Sequence, residues 1–304
     1  MTLASALAEF ERISGQPLPL LATELALVLV LFVIARFTHG WWNGVNTREE
    51  LAERDNIAFG ISLAGGITGL CLVLTGIFHL PIPENPLARA AWLGGMGLAA
   101  LALIRLGRWW YDKLALHQVD KRGLIMEGNI AMAVVDAAVA LATAQVLLGA
   151  LRWMETLSLG ALVLLCLNYF IALTLLVVIT RVLERRYGRV NQGGSLQRAL
   201  AQDHRSVALR HGAYLLASGK VIASAASLNP YTPGAPVTNL AGWLLWSIIG
   251  LMLLLLLSGL LRRVVLAQIK VSREVELQNN SGIALLDGAL VFASAYLLAD
   301  LITP

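Results

Sequence analysis

Charge is scarce in this chain. Only 14% of its residues are Asp, Glu, Lys or Arg, against roughly 25% in a soluble domain. With 58% hydrophobic residues and a mean hydropathy of +0.72, most of its 304 residues must lie in a bilayer. Cysteine is nearly absent. Cys71 and Cys166 both sit in apolar runs; they are too few for a disulfide framework and lack metal-site spacing, so they read as small buried hydrophobes. Five histidines are too few and too scattered to argue for haem; His39, His117 and His204 fall in loops and His79 at a helix end. HExxH, GxSxG, P-loop and CxxC patterns are missing. No enzyme, cofactor or metal site is therefore expected. The opening "MTLASALAEFERISGQPLP" has acids where a signal peptide needs a basic start, so no cleaved signal is expected. The net charge of +4 is no argument for nucleic acid, because in a membrane protein the placement of Lys and Arg is what counts.

What is present is hydrophobic length. A hydrocarbon core of about 30 Å needs roughly 20 apolar residues per helix. Eight segments qualify, near 18–38, 57–79, 87–110, 129–151, 157–182, 206–228, 238–262 and 280–302. The sixth is the weakest, because Lys220 interrupts it. The runs are continuous rather than alternating, which excludes a barrel and predicts an all-α polytopic protein. The loops after spans one, three, five and seven, with their flanking helix ends, hold nineteen of the twenty-three Lys and Arg. The positive-inside rule puts these loops in the cytoplasm and both termini outside. Basic loops of this kind suit anionic lipid head groups, and they leave a cytosolic partner or a homo-oligomer open.

The chain repeats itself. Each inner loop leads into a helix with a similar opening: "RDNIAFGISLAGG" from Arg54, "EGNIAMAVVDAAV" from Glu127, "LRHGAYLLASGKV" from Leu209 and "QNNSGIALLDGAL" from Gln278. Aligning Asn56, Asn129, His211 and Asn280 as position zero puts small residues two and eight places on in all four copies. Two halves, 1–155 and 156–304, each of two helix pairs in parallel orientation, are the expected organisation. Asn at position zero is a good helix N-cap, and the small residues allow close helix approach.

These openings also carry a resemblance. An Asn-x-Ala start, preceded by an acidic segment such as "REELAERDN" and followed by a glycine-dotted apolar helix, resembles the family called domain of unknown function 350, which includes YjfL-like bacterial inner-membrane proteins. Members commonly have four spans with two such openings, so this chain resembles two family units in tandem. His211 in place of Asn departs from the pattern. The resemblance implies a bacterial inner-membrane location and a link to envelope stress; it implies no catalytic residues.

A polar stripe runs down two of the helices. At 100° per residue, Asn129, Asp136 and Thr143 share one face of span four, and Asn280, Asp287 and Ser294 the same face of span eight. A mid-helix aspartate costs roughly 2.5–3.5 kcal/mol to insert, so each needs protonation, a partner cation or a wet cavity. Lys220 lies at a similar depth and is the expected partner of Asp136 or Asp287, with both stripes facing a common centre. Glu24 is expected either to snorkel outward or to line an outer vestibule, and Asn168 and Tyr169 to bond between helices. Two functions fit: a channel or transporter for protons or a monovalent cation through the paired aspartates, or a non-transporting scaffold or sensor in which they act as interhelical glue.

Overall fold

The computed structural model describes residues 17–154 and 158–302, so the expectation about the extreme N-terminus lies outside the described residues. Those residues form ten α-helices: α1 Leu18–Asn43, α2 Ile57–Ile77, α3 Pro86–Leu114, α4 Lys121–Met126, α5 Ile130–Trp153, α6 Leu159–Val190, α7 Leu196–Ala201, α8 Arg205–Ser224, α9 Pro236–Val265 and α10 Ser281–Ile302. Two π-helical turns, Glu49–Glu53 and Arg273–Leu277, precede α2 and α10 at the places where the short helices α4 and α7 precede α5 and α8.

A helix falls on each of the eight expected segments. Seven are long and apolar enough to cross a membrane, and α8 is not among them. Its 20 residues include Arg205, Arg210 and Lys220. Helices α1, α3, α6 and α9 run three to eight residues past their expected basic ends, and His39 of α1, expected in a loop, is thereby buried in the bundle.

The eight long helices form two rows. In the front row α2 packs on α5, α5 on α8 and α8 on α10. In the back row α1 packs on α3, α3 on α6 and α6 on α9; α3 also touches α2 and α5, α6 touches α5 and α8, and α9 touches α8 and α10. The front row is close-packed because its faces are small. A Cβ added to Gly65 of α2 would lie 2.5 Å from the Cα of Ala137 in α5, and one on Gly288 of α10 would lie 3.0 Å from the Cβ of Ala213 in α8. Gly212 of α8 meets the Cβ of Ala138 in α5. Such small-residue contacts let dispersion act between backbones where lipid offers no hydrophobic drive. The two cysteines depart from expectation: Cys71 and Cys166 are exposed side chains on outward faces, not core residues.

Candidate functional site

Each front-row helix opens in the same way. The residue before the cap has positive φ (Asp55, Gly128, Asp203 and Asn279). The cap's own N–H then reaches back into the preceding turn: Asn56 to the Glu50 carbonyl, Asn129 to Leu124, His204 to Ala199 and Asn280 to Glu274. The Asn56, Asn129 and Asn280 side chains accept from the N–H three residues on, as N-caps do. In the third copy the opening residue is His204, not His211. The helix starts two turns earlier than the sequence alignment placed it, and His204 makes no side-chain cap bond.

Counting again from Asn56, Asn129, His204 and Asn280 as zero, position seven holds Leu63, Asp136, His211 and Asp287. This position faces the back row. Two of the four residues are carboxylates, and each sits in its own cluster.

In the first cluster, Asp136 Oδ1 accepts from Lys121 Nζ at 2.6 Å, and Lys121 also pairs with Asp112 at 2.6 Å. Asp136 Oδ2 accepts from Ser62 Oγ at 2.5 Å and lies 3.3 Å from Arg108 Nη1. Arg108 Nη2 donates to the Ser62 carbonyl. His39, expected in a solvated loop, is buried on α1 with Nε2 3.3 Å from Ser62 Oγ. In the second cluster, Arg262 Nε donates to Asp287 Oδ1 at 2.5 Å and Arg262 Nη2 to the Tyr214 hydroxyl at 2.9 Å. Arg210 Nε lies 3.0 Å from Asp287 Oδ2, and Arg210 Nη1 donates to Glu276 at 2.8 Å. Glu276 also accepts from Asn191. Both aspartates are buried. Each cluster therefore pairs two cations with two carboxylates, and the clusters share no residue.

Lys220 is not the partner of either aspartate. Its amine lies 4.9 Å from the centre of the Tyr296 ring, beside a cavity of about 470 Å³ that Gln145, Arg152 and Tyr231 also line. Counted from His211, position nine points away from the stripe, and the arginines that do reach the carboxylates stand among the basic residues of the loops and their flanking helix ends. The stripes meet no common centre either. Asp136 turns to residues of α2, α3 and α4, and Asp287 to residues of α8 and α9. Lower on the stripes, Thr143 packs beside Gly107 of α3, and Ser294 donates to the Leu290 carbonyl of its own helix. At the third position-seven site, His211 Nε2 lies 2.8 Å from the Tyr111 hydroxyl, which also contacts Thr180 Oγ1 at 2.8 Å. Of the two alternatives for Glu24, lining a vestibule has the support: it pairs with Arg89 at 2.5 Å and lines a hollow of about 370 Å³ between α1 and α2. Tyr169 donates to the Leu103 carbonyl of α3, the interhelical bond expected of it. Asn168 is buried, with no hydrogen-bond partner among the described residues.

Sequence reasoning missed Arg108, Arg210, Arg262, Lys121, Ser62 and His39. A signal was available in the third opening: "QDH" before Arg205 matches "RDN" and "QNN", and adopting it puts Arg210 at the register of Ser62.

Apolar helices in two rows, with the two mid-helix aspartates each held in a cluster of balanced charge, define a multi-pass membrane protein. The model for a domain of unknown function, DUF350, matches residues 13–151, 81–225 and 155–302. The chain belongs to that family, and its internal repeat appears in the three overlapping matches, each starting one helix pair further along. Comparison with curated proteins and with solved structures gave no match.

Proposed function

We propose that this is an eight-span inner-membrane protein of two pseudo-equivalent halves, basic linkers in the cytoplasm against anionic lipid and both ends outside, that serves as a non-transporting, non-enzymatic scaffold or sensor. The envelope-stress setting is the one the family resemblance implies. One observation carries the functional part: each of the two stripe aspartates is answered by cations within a cluster of two positive and two negative groups. A route for cations needs a carboxylate whose charge is available to the passing ion. Here a passing ion would have to displace an arginine and leave it unpaired in a dry interior, which costs several kcal/mol. Read so, Asp136 and Asp287 join α3, α4 and α5, and α8, α9 and α10. Proteoliposomes loaded with pH- and cation-sensitive dyes provide the test: leakage equal to that of empty liposomes is expected, and a flux abolished by Asp136→Asn with Asp287→Asn overturns the reading.

One arrangement favours the second reading, proton movement. Lys121, Asp136, Ser62 and His39 form a continuous hydrogen-bonded chain from the linker before α5 to α1. If it conducts, proton flux with no accompanying cation flux will fall on Ser62→Ala.

A further inference from the structure

The three joints of the front row obey one register. Positions are counted from the opening residue of each helix. Position 9 of one helix meets position 8 of the next: Gly65 with Ala137, Ala138 with Gly212, and Ala213 with Gly288. Position 13 meets position 15: Gly69 with Ala144, and Ala142 with Gly219. Position 20 meets position 19: Gly76 with Leu148, and Gly149 with Ala223. The openings are tied in the same sense. The position-zero amide donates to two carbonyls of the next unit, Asn56 to Ile125 and Met126, Asn129 to Leu200 and Ala201. The residue just before the next opening accepts from the N–H at position 2, Asp203 from Ala131 and Asn279 from Ser206.

Four units make three joints, so one half of the joint is left over at each end. On α2 the positions that a preceding helix would cover are Ala64, Cys71 and Thr75, all exposed. On α10 the positions that a following helix would cover are Ala289, Ala293 and Asp300, likewise exposed. Inside the chain the same positions are largely buried.

We infer that a second copy of this chain occupies these edges, α10 of one copy against α2 of the other, repeating the internal joint. The two edges differ, so the contact is head-to-tail, and such contacts close into rings when the rotation allows. The helix geometry sets that rotation. At about 100° per residue the two joint faces of a front-row helix stand about 120° apart. Eight helices from two copies need about 135° between faces, whereas one copy closing on itself needs about 90° and three copies about 150°. The bend has a visible inside: an apolar hollow of about 460 Å³ is lined by all four front-row helices, from Ile61 of α2 to Phe292 of α10. The openings match too. Asp55 of the second copy is the acceptor for the Gly282 N–H, and the Ala52 and Glu53 carbonyls are acceptors for the Asn280 amide. Asp55, Gly282, Ala52 and Glu53 are all exposed. Near the opposite end, Asp300 comes opposite Thr75. This assembly stands whether or not the protein moves ions.

The native Cys71 supplies the experiment. It occupies position 15 of the α2 edge, so its partner at position 13 of α10 is Ala293. The full chain carrying Cys166→Ser and Ala293→Cys is oxidised in native membranes with copper phenanthroline and run without reductant. A species of twice the monomer mass, lost on reduction and lost on adding Cys71→Ser, is expected. Three results overturn the inference: monomer only, whether the thiols stay free or pair within one chain by maleimide mass-tagging; a dimer that survives Cys71→Ser, which would put Ala293 against itself; or a ladder extending beyond two copies. Mass measurement in lipid nanodiscs gives an independent reading. The unsubstituted chain is expected as a dimer and Ala64→Trp as a monomer; a monomeric unsubstituted chain refutes the ring.

Discussion

The Asn129 side-chain amide donates to the Leu200 carbonyl at 3.0 Å, across 71 residues of sequence, while its oxygen accepts from the Met132 N–H. One side chain thus caps its own helix and ties it to the next unit. Asn56 does the same toward Ile125 and Met126. The Asn is therefore more than a local helix start, and its double role explains why it recurs in the repeat.

Asn129→Ala removes both functions at once. The lost cap costs about 1 kcal/mol, and the Leu200 and Ala201 carbonyls lose donors in a buried place for about 1 kcal/mol more. Thermal unfolding in detergent should show a drop of about 2 kcal/mol. His204→Ala at the matching position, which has no side-chain cap bond to lose, is expected to stay within about 0.5 kcal/mol. Equal losses at the two positions would contradict the assignment.

Truncating Asp136 leaves Arg108 with no carboxylate and Lys121 with Asp112 alone. Removal of one member of a buried ion cluster costs about 3–5 kcal/mol because the remaining charge stays unpaired. Asp136→Ala is expected in that range, and adding Arg108→Met should recover part of it. Lys220→Met removes only a ring contact worth about 0.5–1 kcal/mol, so it should unfold close to the unsubstituted protein. If Lys220→Met proves as damaging as Asp136→Ala, the ion partners have been misassigned.

Much of this was legible in the sequence, and the failures have two sources. Hydropathy located all eight long helices, and the recurring Asn and small residues gave the repeat. The aspartates stood out because a carboxylate in an apolar run is unmistakable. Their partners did not, because Arg108 and Arg262 lie where long helices leave the apolar run, and positive charge there is what the positive-inside rule leads one to expect. A count of loop charges cannot tell an arginine that faces lipid head groups from one turned inward to a carboxylate. Lys220 misled for the opposite reason. Depth along a helix follows from residue number, but the direction a side chain faces depends on where the helix begins. The third opening was misplaced by seven residues, from His204 to His211.

Glycines that look alike in sequence meet opposite surroundings in the front and back rows. A Cβ on Gly65 would lie 2.5 Å from the Ala137 backbone, whereas one on Gly94 of α3 meets nothing within 4 Å. Gly65→Ala must push α2 and α5 apart, for about 1–3 kcal/mol. Gly94→Ala only removes unfolded-chain freedom from a helix interior and should stabilise by about 0.5–1 kcal/mol. Unfolding midpoints that shift in opposite directions would bear this out; a loss at Gly94 would show a neighbour there.

The Tyr111 hydroxyl joins three helices, since its own α3 meets Thr180 of α6 and His211 of α8 at 2.8 Å each. It is the uncharged counterpart of the two ion clusters: His211 stands at the register of Asp136 and Asp287, and a back-row side chain again answers it. Tyr111→Phe keeps the packing and removes the bridge. Thr180 retains its bond to the Leu176 carbonyl, so the cost falls on His211, which is buried and has no other hydrogen-bond partner among the described residues. A loss of about 1–3 kcal/mol is expected for leaving that ring unsatisfied. His211→Leu removes the unsatisfied group, so the double variant should be less damaged than the sum of the singles. The difference, a coupling of about 0.5–3 kcal/mol for residues in direct contact, is the quantity to measure by a double-mutant cycle of detergent unfolding. Strict additivity would mean that Tyr111 and His211 do not touch, and that α3 is held to α8 by packing alone.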